Sequence, residues 1–139
     1  MPRWSDNPPA GRTLQAARAL QQDAAKLGFD WSTAAPVWDK LAEEVAELRD
    51  AVNEGDRTAI QHEWGDVLFS LVNLARFLDV DPEAALTGVC ARFSQRLSGI
   101  QERLDELGRT WTDCSIQELE ALWQQVKQAR SEDGRADGE

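Results

Sequence analysis

The stretch KLAEEVAELRDAVNEGDRTAIQHEWGD, residues 40–66, organises the whole chain. Apolar residues recur at three- and four-residue steps on both sides of a polar bend at 53–56, which predicts two antiparallel helices joined by a short turn. Each predicted helix carries two carboxylates three residues apart, a spacing that puts both on one helix face. These pairs are Glu44 with Glu47 and Glu63 with Asp66. Together they predict an oxygen-rich cage that suits a hard cation such as Mg²⁺.

Length, charge and cysteine content limit the possible functions of the chain. Its 139 residues, of which 42% are hydrophobic, suit one globular domain. The formal net charge of -10 argues against a nucleic-acid partner, because phosphate backbones are bound by clustered Lys and Arg. The two cysteines lack the spacing of a zinc site, and we expect reduced thiols. No segment has the apolar length of a membrane span or signal peptide, so we expect a cytoplasmic protein without a membrane partner.

The hydrophobic pattern predicts an all-α fold, a bundle of four to five helices. The predicted helices cover about 13–27, 36–52, 57–78, 82–107 and 116–130, with Thr13, Asp81 and Ser115 as N-caps and Gly28 and Gly108 as stops. Three prolines predict an irregular arm over residues 1–11, followed by a helical domain over 12–130. Residues 131–139 are polar and predict a disordered tail.

Apolar stripes predict which helix faces are buried. The predicted inward positions are Leu14, Ala17, Leu20, Ala24 and Leu27 in the first helix, Val37, Leu41, Val45, Leu48 and Val52 in the second, and Ile60, Trp64, Val67, Leu68, Leu71, Leu74, Ala75 and Leu78 in the third. The third helix also carries a narrow polar line, Glu63, Asp66, Ser70 and Asn73. Burying two unpaired carboxylates costs on the order of several kcal/mol. A bound cation would remove this cost.

The acidic residues have two interpretations, a solvated helix face or a metal site. Glu43, Glu44 and Glu47 alone are typical of a solvated face, whereas the second pair lies on a helix whose other faces look buried. The single histidine, His62, has no Glu three residues away, which argues against a di-iron bundle. Oxygen ligands indicate Mg²⁺ or Mn²⁺, and such ions most often act on phosphates.

Two further groups of residues could bind a ligand. Phe29 and Trp31 follow Lys26 in a connecting loop, where they either cover the core or stack on a base with Lys26 near phosphate. Arg92 and Arg96 lie one helical turn apart, either as ordinary surface arginines or as a pair that holds polyphosphate oxygens.

In this ordered set of motifs, the chain resembles the MazG-type nucleotide pyrophosphohydrolases of the all-α NTP pyrophosphatase superfamily, and most closely the C-terminal domain of MazG. The resemblance runs from about Leu14 to Lys127. It rests on EExxE at 43–47, ExxD at 63–66, KLGFDW at 26–31, GDVLF at 65–69, VNLAR at 72–76, Arg92-Phe93 and Leu122-Trp123.

The resemblance implies a homodimer or tetramer that hydrolyses nucleoside triphosphates to monophosphate and pyrophosphate with Mg²⁺, as nucleotide-pool house-cleaning. It implies Glu44, Glu47, Glu63 and Asp66 as metal ligands, Glu43 as the catalytic base or an outer-shell group, and Lys40, Arg92 and Arg96 as phosphate contacts, with Asn73 supporting the site and Trp31 and Trp123 near base or sugar. The family often has Lys at the position of Arg92, which changes the geometry of that contact.

Three alternatives remain open on the residues. A dUTPase- or dCTPase-like hydrolase and a phosphoribosyl-ATP pyrophosphohydrolase would share the acidic set, whereas the GFDW loop and the stretch 73–76 favour the MazG type. A non-catalytic helical module could instead bind a basic partner in an acidic groove.

Overall fold

The computed structural model describes residues 12–136, with side chains as far as Ala129, and over this range the chain forms five α-helices. They are α1 (Thr13–Lys26), α2 (Ala35–Glu54), α3 (Arg57–Phe77), α4 (Pro82–Leu107) and α5 (Ile116–Ala136), with one 3-10 turn at Trp111–Asp113 before α5. No strand occurs between residues 12 and 136, so the all-α prediction is confirmed. The arm predicted for residues 1–11 lies outside the described residues.

The turn between α2 and α3 contains only two residues, Gly55 and Asp56. Gly55 ends α2 with a φ of 73°, a left-handed conformation that glycine adopts without a steric penalty. The Asp56 carboxylate then accepts hydrogen bonds from the backbone N–H groups of Thr58 and Ala59 at 3.1 and 3.2 Å. This N-cap satisfies donors that the first turn of α3 leaves free.

Two further helix starts follow the predicted signals, whereas the start of α1 does not. Asp81 accepts from the N–H groups of Glu83 and Ala84, and Ser115 and Glu118 form the predicted capping box. Thr13, however, is the first residue of α1 rather than its cap, and Arg12 precedes it without a side-chain cap. The predicted cap was wrong because the helix begins one residue earlier than expected, within the usual uncertainty of helix ends.

The chain divides into two compact units between Ala85 and Leu86. In the first unit, α3 contacts both α2 and α1, as expected for a central helix. Its buried apolar residues are Val37 and Ala51 of α2 and Val72, Leu74 and Ala75 of α3. None of the helices within residues 12–136 combines the length and apolarity that crossing a bilayer requires.

The buried face of α2 is rotated relative to the predicted stripe. Val45 and Val52 were expected inside but are exposed, whereas Glu44 and Ala51 are buried with Val37. These three buried residues are spaced by seven and lie on one line along the helix. The small Ala51 side chain and the polar Glu44 therefore face the rest of the unit, a register that hydrophobicity alone does not predict.

Part of the predicted core in α1 and α3 is also exposed. Trp64 is 59% exposed, and Leu68 and Leu71 are 43% and 45% exposed. We call these three residues the α3 apolar face. Leu20, Leu27 and Leu78 are likewise exposed rather than buried. The predicted stripes were wrong at these positions because they assume a neighbour on every apolar face, and within the first unit none of the described helices covers them.

The second unit has its own small core. Ile100 and Leu104 of α4 and Val126 of α5 are buried, and the half-buried side chains that pack on them are Trp111, Cys114, Leu119, Leu122 and Trp123. The apolar spacing in α5 predicts Leu119, Leu122, Trp123 and Val126 as inward positions, and this is confirmed. In α4 the same spacing predicts seven inward positions. Ile100 and Leu104 are buried as predicted, whereas the other five, Leu86, Val89, Phe93, Leu97 and Leu107, are exposed.

The end of α5 differs from the sequence prediction. The helix continues to Ala136, six residues into the segment for which a disordered tail was predicted from residue 131 onward. Several residues at the start of this segment and just before it, such as Ala129, Arg130 and Glu132, have high helix propensity, which accounts for the continuation. Residues 137–139 lie outside the described residues. Cys90 and Cys114 are both free thiols, as expected.

Candidate active site

Carboxylates from α2 and α3 come together in the first unit. Glu44 and Glu47 lie on adjacent turns of α2, and the two-residue turn folds α3 back so that Glu63 reaches them. One carboxylate oxygen of each of these three residues lies within 4.8 Å of the others. The predicted convergence of the two acidic pairs is therefore present for three of the four residues, which we call the carboxylate trio.

Glu44 is the buried member of the trio, with 5% of its surface exposed. Its Oε1 lies 3.0 Å from Lys40 Nζ, and this hydrogen bond lowers the pKa of Glu44 despite the opposing effect of burial. Its Oε2 is buried and has no hydrogen-bond partner among the described residues. Lys40 also lies 3.5 Å from the exposed Glu43, so it is paired with α2 carboxylates.

Glu47 and Glu63 lie close to other carboxylates. The pKa of Glu47 is raised to about 6, because its carboxyl group is partly desolvated and lies near the charges of Glu44 and Glu63. Glu63 has a buried Oε2 without a partner among residues 12–129. Three close carboxylates with two unpartnered buried oxygens fit a divalent cation, because such an ion would supply the missing partner and cancel the repulsion.

A second group of potential ligands lies beside the trio on α3. It contains Asp66, His62 and the shared Glu63, with one ligand atom of each within 4.8 Å of the others. His62 Nε2 lies 3.2 Å from Asp66 Oδ2. Sequence reasoning considered His62 only as a di-iron ligand and missed this group, although the i, i+4 spacing to Asp66 was visible.

An apolar cavity of about 300 Å³ lies between α1, the loop after it and α3. Its lining includes the predicted Trp31 and Asn73, and the rest is Leu20, Gln21, Ala24, Phe29, Asp30, Phe69 and Arg76. Gln21 is only 7% exposed; its Nε2 donates to the Phe69 carbonyl at 2.9 Å, and its Oε1 has no described partner. Sequence reasoning missed Gln21, whose spacing from Ala17 and Ala24 places it on the apolar stripe.

The loop that forms one wall of the cavity is fixed at both ends. Gly28, with a φ of 90°, and Phe29 donate backbone hydrogen bonds to Ala25 and Ala24, which closes the end of α1. Asp30 then forms a two-pronged ion pair with Arg76 of α3 at 2.7 and 3.3 Å. The hydrogen bond from Arg76 holds the pKa of Asp30 below its usual value.

Arg76 links this loop to a predicted site residue. It donates to Asn73 Oδ1, so the loop, Arg76 and Asn73 form one hydrogen-bonded group. Phe29 is 82% exposed and Trp31 is half-exposed, so neither covers the core as one interpretation expected. Lys26 lies in the last turn of α1, is exposed, and does not line the cavity.

Three predicted residues belong to the second unit. The Arg96 guanidinium lies 5.3 Å from the centre of the Trp123 ring, a cation–π geometry, and Phe93 packs on the same ring at 5.2 Å. Arg92 is exposed one turn before Arg96 on α4. Arg96 and Trp123 are therefore in contact, and Arg92 lies on the same helix.

Comparison with known proteins assigns the family. Residues 33–100 match the model described as the MazG nucleotide pyrophosphohydrolase domain. A nucleoside triphosphate pyrophosphohydrolase/pyrophosphatase MazG from Thermotoga maritima is 38% identical over 114 residues, which is 82% of this chain. The chain belongs to the MazG family.

Two further proteins are similar to this chain. A nucleoside triphosphate pyrophosphohydrolase from Escherichia coli strain K12 is 35% identical over 124 residues, or 88% of this chain. The uncharacterized protein YabN from Bacillus subtilis is 41% identical over 69 residues, which is 50% of this chain and 14% of that protein. The chain spans 44% of the Thermotoga protein and 47% of the Escherichia protein, about half the length of each.

The MazG domain match covers most of the candidate site. All members of the trio lie within residues 33–100, and so do His62 and Asp66. The same range contains Lys40, Asn73, Arg92 and Arg96. The cavity lies partly outside it, because Gln21 and Trp31 precede residue 33. Lys26 and Trp123, which do not line the cavity, also lie outside the matched residues. The family match therefore bears on the carboxylates more directly than on the cavity.

Proposed function

We propose that this chain is a Mg²⁺-dependent nucleotide pyrophosphohydrolase that cleaves NTPs or dNTPs between the α and β phosphates. The products are the nucleoside monophosphate and pyrophosphate, and the proposed role is house-cleaning of the nucleotide pool. The observation that carries the proposal is the carboxylate trio within a MazG domain, with two buried oxygens that lack a partner among the described residues.

In this proposal Glu44, Glu47, Glu63 and Asp66 hold the metal. When bound, Mg²⁺, or Mn²⁺ as a substitute, neutralises charge on the phosphate oxygens and makes a bound water more acidic. Lys40 keeps Glu44 in its carboxylate form, the form that binds metal. Because Lys40 is also half-exposed, its ammonium group is able to contact phosphate.

Glu43 is the proposed catalytic base. Its side chain is 57% exposed, so a water molecule has access to the carboxylate, and it lies one residue before the buried ligand Glu44. A carboxylate in this position accepts a proton from the water that attacks the phosphorus. Arg92 and Arg96 are the proposed contacts to the remaining phosphate oxygens, as cations with planar, two-pronged donors.

The cavity supports a place for the nucleoside. Asp66 and Asn73 are seven residues apart on α3, which is two turns on the same face and about 10 Å along the axis. An apolar cavity of about 300 Å³ with Trp31 at its wall suits a stacked base. The unpartnered Gln21 Oε1 would favour a base edge that donates an N–H group. Lys26 is proposed to contact phosphate, and Trp123 is proposed to contact the base or the sugar.

We further propose that the protein is a homodimer or tetramer in the cytoplasm. The α3 apolar face supports association, because Trp64, Leu68 and Leu71 expose large side chains that a partner would bury. Val45 and Val52 of α2 are also exposed. Analytical ultracentrifugation tests the oligomeric state directly, and a monomer at micromolar concentration would contradict the proposed dimer or tetramer.

The decisive experiment measures pyrophosphate release from a panel of NTPs and dNTPs with Mg²⁺, Mn²⁺ or EDTA. The panel includes dUTP, dCTP, modified nucleotides and phosphoribosyl-ATP. We expect metal-dependent turnover that Glu47→Gln and Asp66→Asn abolish and that Glu120→Gln, an exposed change on α5, retains. Release of pyrophosphate from none of these substrates would refute the proposal and favour a binding module.

A further inference from the structure

Arg76 lies in the cavity wall, where it is held by contacts with two parts of the chain. Its guanidinium forms the two-pronged ion pair with Asp30 of the loop after α1, at 2.7 and 3.3 Å. The same group donates to Asn73 Oδ1, one turn earlier on α3, and its central carbon lies 5.4 Å from the centre of the Phe77 ring. Only 13% of the Arg76 side chain is exposed. The guanidinium therefore acts as a fork that joins the loop to α3.

The Asp30 arm of this fork extends to Trp31. Asp30 Oδ1 accepts the backbone N–H of Trp31 at 2.9 Å as well as a hydrogen bond from Arg76. Trp31 lines the cavity and is 51% exposed, so the packing around its ring is incomplete. The backbone at this residue is instead tied to α3 through the carboxylate and the guanidinium. The place of the Trp31 ring in the cavity wall therefore depends on Arg76.

The Asn73 arm fixes the direction of a side-chain amide. An amide oxygen accepts hydrogen bonds and the amide nitrogen donates them, so the two ends of the Asn73 side chain are not equivalent. Because Arg76 donates to Oδ1, a reversed amide would place an NH₂ group against the guanidinium, donor against donor. Asn73 also lines the cavity. Arg76 therefore leaves the Asn73 amino group, and not its oxygen, as the group that a bound ring can engage.

We propose that Arg76 is a positioning residue for nucleoside recognition, which acts through Trp31 and Asn73 and not on the phosphates. The ligand class, a nucleotide, rests on the proposed function, whereas the coupling of the two walls is a property of this chain. Asp66, a proposed metal ligand, lies ten residues before Arg76 on α3, about 15 Å along the helix axis. Loss of the fork should therefore weaken nucleotide binding and raise KM while kcat changes little.

Two substitutions separate the fork from its charge. Arg76→Lys keeps a positive charge that pairs with Asp30, but a single ammonium group lacks the planar fork that also holds Asn73. Arg76→Met removes both the charge and the fork and keeps an unbranched side chain. Arg57→Met, an exposed change on the same helix, is the matched control.

Fluorine NMR follows Trp31 directly, without metal or turnover. The chain contains six tryptophans, so labelling with 5-fluorotryptophan gives one signal for each, and Trp31→Phe identifies that of Trp31. We expect both Arg76 variants to displace this signal and to leave the signal of Trp111, in the second unit, in place. Arg57→Met should displace neither signal. A Trp31 signal at its wild-type position in Arg76→Met, or an equal displacement of the Trp111 signal, would overturn the proposal.

Calorimetric titration measures the recognition step. The nucleotide probes are the α,β-methylene analogues of ATP, GTP, CTP and UTP with Mg²⁺, which resist cleavage between the α and β phosphates. Inorganic tripolyphosphate with Mg²⁺ is the probe that has no base. Arg76→Lys and Arg76→Met should weaken binding of the nucleotide analogues by about tenfold and leave tripolyphosphate binding unchanged. Wild-type affinity in both variants, equal losses for the two kinds of probe, or no binding of any analogue would contradict the proposal.

A double-variant comparison tests whether Arg76 carries the coupling. Asp30→Asn and Asn73→Ser each weaken one arm, so their combined effect on analogue binding should be smaller than the product of the single effects. In an Arg76→Met background the two effects should become multiplicative, and multiplicative effects with Arg76 present would refute the coupling. Metal-dependent pyrophosphate release tests the proposed function separately. Analogue binding that Arg76→Lys weakens, without pyrophosphate release from any triphosphate, would support the positioning role and refute the proposed hydrolysis alone.

Discussion

Replacement of Gly99 by alanine tests the packing of the second unit. A Cβ atom at Gly99 would lie 2.6 Å from Val126 Cγ1 and 3.2 Å from Cγ2, whereas nonbonded carbons normally approach to about 3.5–4.0 Å. Val126 is buried, and a β-branched side chain in a helix is largely confined to one rotamer. It packs on Ile100 and Leu104, which are also buried, so relief requires movement of α4 or α5.

The size of the effect follows from two opposing contributions. Overpacking of a well-filled core costs about 1–3 kcal/mol. Replacement of glycine by alanine within a helix gains about 1 kcal/mol. Gly88→Ala on the same helix gains the second contribution without the first, because only the flexible end of Arg92 lies near its new Cβ, at 3.4 Å. Gly99→Ala should therefore be about 1–3 kcal/mol less stable than Gly88→Ala.

Urea unfolding followed by circular dichroism measures this difference. The double variant Gly99→Ala/Val126→Ala adds a second check, because removal of the Val126 methyl groups makes room for the new Cβ. The cost of the double variant should then be smaller than the sum of the two single costs, by about 0.5–3 kcal/mol. Equal stability of Gly99→Ala and Gly88→Ala, or strict additivity, would refute the packing argument.

Three further predictions concern metal, pH and helix capping. Mg²⁺ at one hundred times its Kd should raise the free energy of unfolding by about 2.7 kcal/mol in a thermal or urea assay. Glu44→Gln should lose most of this gain, whereas Glu120→Gln should keep it. An equal gain in the two variants would contradict a metal site at Glu44. The pKa of Asp30 is lowered, so its ion pair stabilises the fold above about pH 4 and this contribution is lost as the pH falls through the folded-state pKa. Unfolding curves of the wild type and Asp30→Asn should thus differ at pH 6 and converge near pH 2; a constant difference would be inconsistent with this pair. Asp56→Ala should cost about 1 kcal/mol in urea unfolding and Asp56→Asn much less, since Asn also caps helices, and similar costs for both would count against the cap.

Helix positions were predictable from the sequence because their signals are local. The Asp81 and Ser115 caps depend on residues within one turn, and the structure confirms them. The buried faces were less predictable, as the exposure of Val45 and Trp64 demonstrates. Apolar periodicity indicates which faces avoid water, but it does not indicate whether another helix of the same unit or another partner covers them.

The same division applies to the candidate site. The spacing of Glu44 and Glu63 about a short turn was enough to predict that they meet, because an antiparallel helix pair has little freedom in register. Gln21 was not predictable as a cavity residue, since its burial depends on how α1 lies against α3. The second group of potential ligands, which includes His62 and Asp66, was not predicted. Its recognition depends on where the His62 ring lies relative to Asp66, and this is set by side-chain conformation.

The two-residue turn at Gly55 and Asp56 has a consequence for how the protein folds. The proposed ligands from Glu44 to Asp66 all come from a single helical hairpin, so they are brought together by contacts close in sequence. Closing such a short loop costs little chain entropy, and folds rich in local contacts form quickly. We therefore expect the ligand cluster to form early on the folding pathway, within a hairpin whose construction requires no residue of α4 or α5.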